Sequence, residues 1–152
     1  MPELDFAILC QAARVAPDNL MYVLAGGWDT LAGPEGVVQP VTVALRILFT
    51  QGECGRPHRV EAIVQDADGR RLAVVTAVVT PQLPQPGTSA GRTFNAMTVL
   101  PIPVFFPHHG DYGVELLVND TSLKSIPLRY VAGPPLPVVP PAPSPPSAPS
   151  NT

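Results

Sequence analysis

The chain reads as an all-β protein: an antiparallel β-sandwich of about seven to eight strands, immunoglobulin-like or C2-like, with a disordered Pro-rich C-terminal tail. Three observations predict this. Apolar and polar residues alternate with period two in several separate stretches, as half-buried strands require. Clusters of Gly, Pro, Asn and Asp divide those stretches at intervals of roughly 8–15 residues. Only 14% of the 152 residues are charged, against roughly a quarter in an average soluble domain. That leaves little Glu, Lys or Arg for the wet faces of amphipathic helices.

In chain order, Leu4, Phe6, Ile8 and Cys10 alternate with Asp5, Ala7, Leu9 and Gln11. Two readings stand for Phe6–Val15: a strand, or a helix opened by Asp5 as N-cap. Pro17-Asp18-Asn19 marks a turn, and the short apolar run Leu20–Ala25 returns as a hairpin. Gly26-Gly27-Trp28 predicts a bulge or tight bend with positive φ. Gly33-Pro34-Glu35-Gly36 is a loop. Val41, Val43, Leu45, Ile47 and Phe49 share one face of the clearest strand, which belongs in the core. After a loop at 51–57, His58–Gln65 alternates up to Asp66-Ala67-Asp68-Gly69, a hairpin turn. Leu72–Val79 alternates little, which predicts cover on both faces. Pro81–Gly91 reads as a mobile loop. Phe94–Leu100 is a strand whose end Pro101 and Pro103 push to a sheet edge, because neither can donate to a ladder. Tyr112, Val114, Leu116 and Val118, the turn Asn119–Ser122, then Ile126, Leu128 and Tyr130 form a closing hairpin.

A domain over 1–132 is long enough to bury a core without disulfides or metals. Net charge of −3 gives no electrostatic case for nucleic acid or an anionic membrane. Glu3 and Asp5 stand where a signal peptide carries basic residues, and no apolar stretch is long enough for a transmembrane helix. A cytoplasmic protein is expected. Two cysteines make no disulfide framework there. Cys10 reads as buried beside Phe6 and Ile8, and Cys54, between Gly52 and Gly55, as the more accessible thiol.

The tail, 133–152, places Pro134, Pro137, Pro140, Pro143, Pro146 and Pro149 at a spacing of three. Polyproline II has three residues per turn, so these rings line one edge of an extended helix. Such a segment acts as a spacer or as a docking arm for an aromatic-lined groove. Elsewhere, His108, His109 and Asp111 form the one compact group of metal-ligand residue types, with His58 a possible fourth. Tyr22 and Trp28 are candidates for a flat sugar-stacking platform, against a core role for the tryptophan. No G-x-S-x-G elbow, Walker A or G-x-G-x-x-G motif occurs, so no catalytic residue and no cofactor is assigned.

Pro2-Glu3-Leu4-Asp5-Phe6-Ala7, Val23–Trp28, Pro57-His58-Arg59-Val60-Glu61, Gly110–Leu116 and Ile126-Pro127-Leu128-Arg129 together carry a resemblance. Over residues 2–131 the chain resembles an uncharacterised bacterial family of small single-domain β-sandwich proteins. The resemblance implies the fold, and it brings no catalytic residue or ligand. The expected function is therefore a non-catalytic module that binds an unidentified protein partner. A small-ligand or carbohydrate-binding domain at Trp28 and Tyr22 is the alternative. A metal-dependent hydrolase at His108, His109 and Asp111 comes third.

Overall fold

The alternating stretches form two facing sheets in a computed structural model that describes residues 1–83, 85–87 and 92–133. Nine strands lie among these residues: β1 (Glu3–Val15), β2 (Met21–Gly26), β3 (Thr30–Ala32), β4 (Val37–Phe49), β5 (His58–Asp66), β6 (Arg71–Val79), β7 (Phe94–Phe106), β8 (Gly110–Val118) and β9 (Thr121–Val131). One sheet has the order β2-β1-β4-β7 and the other β3-β9-β8-β5-β6. The sandwich is antiparallel except where the three-residue β3 joins β9 in parallel.

The expected faces hold where alternation was strict. Val41, Val43, Leu45, Ile47 and Phe49 of β4 meet Tyr112, Val114, Leu116, Val118, Leu128 and Tyr130 of β8 and β9 across the core. Each large aliphatic side chain buried there contributes roughly 1.5–3 kcal/mol. Phe106 stacks on Tyr130 with ring centroids 4.2 Å apart and meets Tyr112 edge-on at 5.0 Å. The closing hairpin β8–β9 sits inside its sheet, between β3 and β5.

Four readings change. Residues 6–15 are strand throughout, which settles the first ambiguity. A bulge between Leu4 and Phe6 shifts the parity of β1, so Ala7 and Leu9 face the core while Phe6, Ile8 and Cys10 take the outer face. Leu72–Val79 is an edge strand with Val74 and Val78 exposed, not a doubly covered one. Its even apolarity reflects β propensity at an edge. β7 runs on through Pro101 and Pro103 to Phe106, as the outermost strand of its sheet. Pro103 lies directly opposite Pro40 of β4, and a pair in which neither residue has an N–H is possible only at a non-hydrogen-bonded position. Edge placement supplies the rest.

Cys10 and Cys54 are both free and both buried, with Cys54 slightly the more accessible at 6% against 0%. Their thiols meet the carbonyls of Thr42 and Thr50 at 3.6 and 3.5 Å, and burial pushes both pKa values up. No helix among the described residues is long and apolar enough to cross a membrane. Residues 84, 88–91 and the proline series from Pro134 to Pro149 lie outside the described residues.

Candidate functional site

The turns β5–β6 and β7–β8 lie at the same end of the sandwich and enclose a cleft of 360 Å³ whose lining includes Asp68, Arg70, Phe105, His108, His109 and Asp111. Turn chemistry builds it. Asp66 Oδ1 accepts from the amides of Asp68 and Arg70 at 3.0 and 2.8 Å, and Gly69 supplies the left-handed residue at φ 81°. On the other side, the Tyr112 hydroxyl donates to the His108 carbonyl at 2.6 Å and holds the His108–Gly110 turn.

The three expected ligand residues line this cleft, yet their side chains do not converge. The His109 ring turns away to the loop before β4: Nε2 lies 2.8 Å from the Gly33 carbonyl, and Nδ1 lies 3.3 Å from Glu35 Oε1. The same carboxylate oxygen accepts the His109 amide at 2.8 Å. Tyr130 reinforces that loop by donating to the Pro34 carbonyl at 2.7 Å, and burial pushes its phenol pKa up, against a hydrogen bond with Gln39. Asp111 is held by Arg129 Nε at 2.9 Å. The His108 ring is exposed. Among the described residues, no group of three or more His, Cys, Asp or Glu is placed to hold a metal ion.

His58 lies at the opposite end of β8. It is 6% exposed, with Nε2 2.8 Å from the Glu53 carbonyl and Nδ1 2.9 Å from the Asn119 amide nitrogen. A carbonyl only accepts, so Nε2 carries the proton and Nδ1 accepts from Asn119. Asn119 Oδ1 in turn accepts the Arg59 amide at 3.0 Å, which orients its NH₂ toward the ring. His58 is a structural clamp under the β8–β9 turn.

Tyr22 and Trp28 part company as well. Trp28 is half-buried against the core, where Ala25 (φ 47°) and Gly27 (φ 87°) swing the chain from one sheet to the other. Tyr22 is 49% exposed on β2, with the Arg14 guanidinium 5.2 Å from its ring centroid. Leu20, Val23 and Leu24 are exposed around it, and a shallow groove of 330 Å³ runs among Ala12, Arg14, Tyr22 and Leu24. Sequence reading did not find this patch or the role of Glu35. The one signal for the patch was an apolar run, Leu20–Ala25, that lacks alternation. Glu35 left none, because its partner is 74 residues away.

Residues 5–131 match DUF6941, a family of unknown function. No curated protein matches the chain. Among solved structures, similarity reaches an immunoglobulin-like protein from Pseudomonas aeruginosa at 11% identity, covering 86% of this chain and 96% of that one, with a TM-score of 0.32. A β-glucuronidase from glycoside hydrolase family 2 matches at 13% identity and TM-score 0.43, over 62% of this chain and 10% of its own. The Pseudomonas fluorescens alkylpurine DNA glycosylase AlkC, bound to DNA containing an abasic site analog, matches at 11% and 0.41, over 86% and 30%. This chain thus spans about a tenth of the glucuronidase.

Proposed function

We propose that this chain, which belongs to the DUF6941 family of unknown function over residues 5–131, acts as a non-catalytic β-sandwich module that binds a protein partner through the β1–β2 hairpin. The observation that carries the reading is the cluster Leu20, Tyr22, Val23 and Leu24. These four large apolar side chains fall within five positions and are 40–61% exposed. They lie on or beside β2, an edge strand with no proline and no charge in Met21–Gly26. Folded proteins usually blunt such an edge with Lys, Pro or a covering loop, since its open amides and carbonyls template further pairing. Tyr and Arg, here Tyr22 beside Arg14, are also among the residues enriched at interface centres.

Two other edges of the sandwich are less suited. β7 carries Pro101 and Pro103, and β3 has three residues. Strand addition to β2 uses main-chain hydrogen bonds for affinity and the Tyr22–Leu24 groove for side-chain selection.

Capture experiments with the full chain and its Leu24→Asp variant test this. The variant is expected to keep the parent melting temperature, because Leu24 lies outside the core, and to lose the specific partners. Equal capture by both proteins would sink the proposal. A chain ending at Val131 run beside them reports the tail's share: identical partner lists remove the tail from binding.

A further inference from the structure

One positive charge stands on the apolar groove of the β1–β2 hairpin. Between Cys10 and Gly26 only Arg14 and Asp18 are charged. Asp18 is engaged in the turn, where its Oδ1 accepts the Leu20 amide at 3.1 Å. Arg14 is exposed, and it enters no ion pair among the described residues. Its guanidinium instead lies 5.2 Å from the Tyr22 ring centroid. Arg14 is directly opposite Tyr22, and Ala12 is directly opposite Leu24. Alternate residues of a strand share a face, so these four make one surface. It is an apolar groove with a cation over its aromatic ring.

We infer that the segment added to β2 carries a carboxylate side chain opposite Tyr22 and a large apolar side chain two positions away, opposite Leu24. The inference rests on the hairpin reading above and names the chemistry of its partner. Spacing is the first support. An added strand lies about 4.8 Å from β2 and about 9.6 Å from β1. By leaning over Tyr22, the Arg14 head covers part of that gap and comes within reach of a Glu or Asp on the same face.

Hydrogen-bond chemistry is the second. A guanidinium above a ring keeps N–H donors at its rim, and a carboxylate takes two of them in parallel. The added strand also displaces water from the guanidinium, which disfavours a partner that leaves the charge unanswered. Selection therefore works in both directions: a carboxylate is favoured there, and a Lys or Arg is repelled. Periodicity is the third. Side chains two positions apart on a strand share a face at a spacing of about 7 Å. That spacing matches Tyr22 and Leu24 whichever way the added strand runs. A second copy pairing through its own β2 does not meet the requirement, because Met21–Gly26 holds no acidic residue.

The test titrates the full chain with two peptides and follows the Tyr22 and Leu24 amide signals by NMR. One is acetyl-Thr-Val-Thr-Glu-Thr-Val-Thr-amide, and the other has Gln in place of Glu. Both have the same residue order in either direction, so strand polarity does not affect the comparison. The Glu peptide is expected to bind about three- to tenfold more tightly than the Gln peptide, by a margin that shrinks as salt is added. Arg14→Gln, a change at an exposed position, is expected to make the two peptides equal. Arg14→Glu is expected to favour a third peptide with Lys at that position. Equal binding of the Glu and Gln peptides by the parent chain would overturn the inference and leave strand addition at β2 standing. So would a preference for Glu that survives Arg14→Gln. Tyr22 and Leu24 signals that no peptide moves would overturn strand addition itself, and this inference with it.

Discussion

The hairpins β1–β2 and β8–β9 share an architecture and differ in almost everything else. Both are antiparallel, and both turn through residues with positive φ: Asn19 at 61° in one, Asn119 and Asp120 at 49° and 66° in the other. β8–β9 lies inside its sheet, and every second residue from Tyr112 to Val118 and from Ile126 to Tyr130 is buried. β2 is an edge, and most of its residues are exposed. The difference teaches what alternation records. A strand alternates when one face is covered and the other is wet. In β2, where neither face is covered by the chain itself, the apolar run does not alternate.

The sharpest way to break this comparison is a matched pair of truncations. Leu128→Ala removes a core side chain and is expected to lower unfolding stability by about 2–5 kcal/mol in urea melts. Leu24→Ala is expected to stay within about 0.5 kcal/mol of the parent. A large loss at Leu24 would mean that the hairpin packs against the body and is not available.

The two turns offer a smaller contrast. Asn119→Ala removes the partner of His58 Nδ1 and of the Arg59 amide and keeps a left-handed residue, for a loss of about 2 kcal/mol. Asn19→Ala meets only the backbone penalty, roughly 1 kcal/mol. Equal losses would show that the His58 clamp adds nothing. Smaller again is the tyrosine pair. Tyr130→Phe deletes the bond to the Pro34 carbonyl at about 1 kcal/mol, whereas Tyr22→Phe is expected to leave the melting curve unchanged.

The smallest effect is a pH dependence away from both hairpins. Burial raises the Glu53 pKa, but hydrogen bonds from the N-terminal ammonium and from the Thr50 amide and hydroxyl outweigh it, and the value falls from the ordinary 4.5 to about 2. A carboxyl depressed by folding stabilises fully above its unfolded pKa and loses that contribution as pH falls through the folded one. Acid melts are therefore expected to steepen between about 4.5 and 2. Glu53→Gln should flatten that window, and an unchanged profile would remove the ion pair from the account.

Much of the fold was legible because its information is local. The period-two runs in β4, β8 and β9 name their own buried faces, and Asp66–Gly69 and Asn119–Asp120 name their turns. Legibility failed where a distant partner decides. The three-residue β3 exists only because β9 offers it a parallel edge. The candidate site was half legible: His108, His109 and Asp111 do line one cleft, but Glu35 and Arg129 claim two of them from elsewhere in the chain.

By itself, then, the sequence determined the class, the sandwich layering and the inward residues of the strictly alternating strands, because side-chain period and turn chemistry act over a few residues. Tertiary structure alone decided which face of β1 is buried, since one bulge reverses parity. It decided that Pro101 and Pro103 continue a strand, since an edge needs no donor. It also decided that a histidine read as a ligand becomes a strut, since a ring nitrogen takes whichever acceptor the fold brings within 2.8 Å.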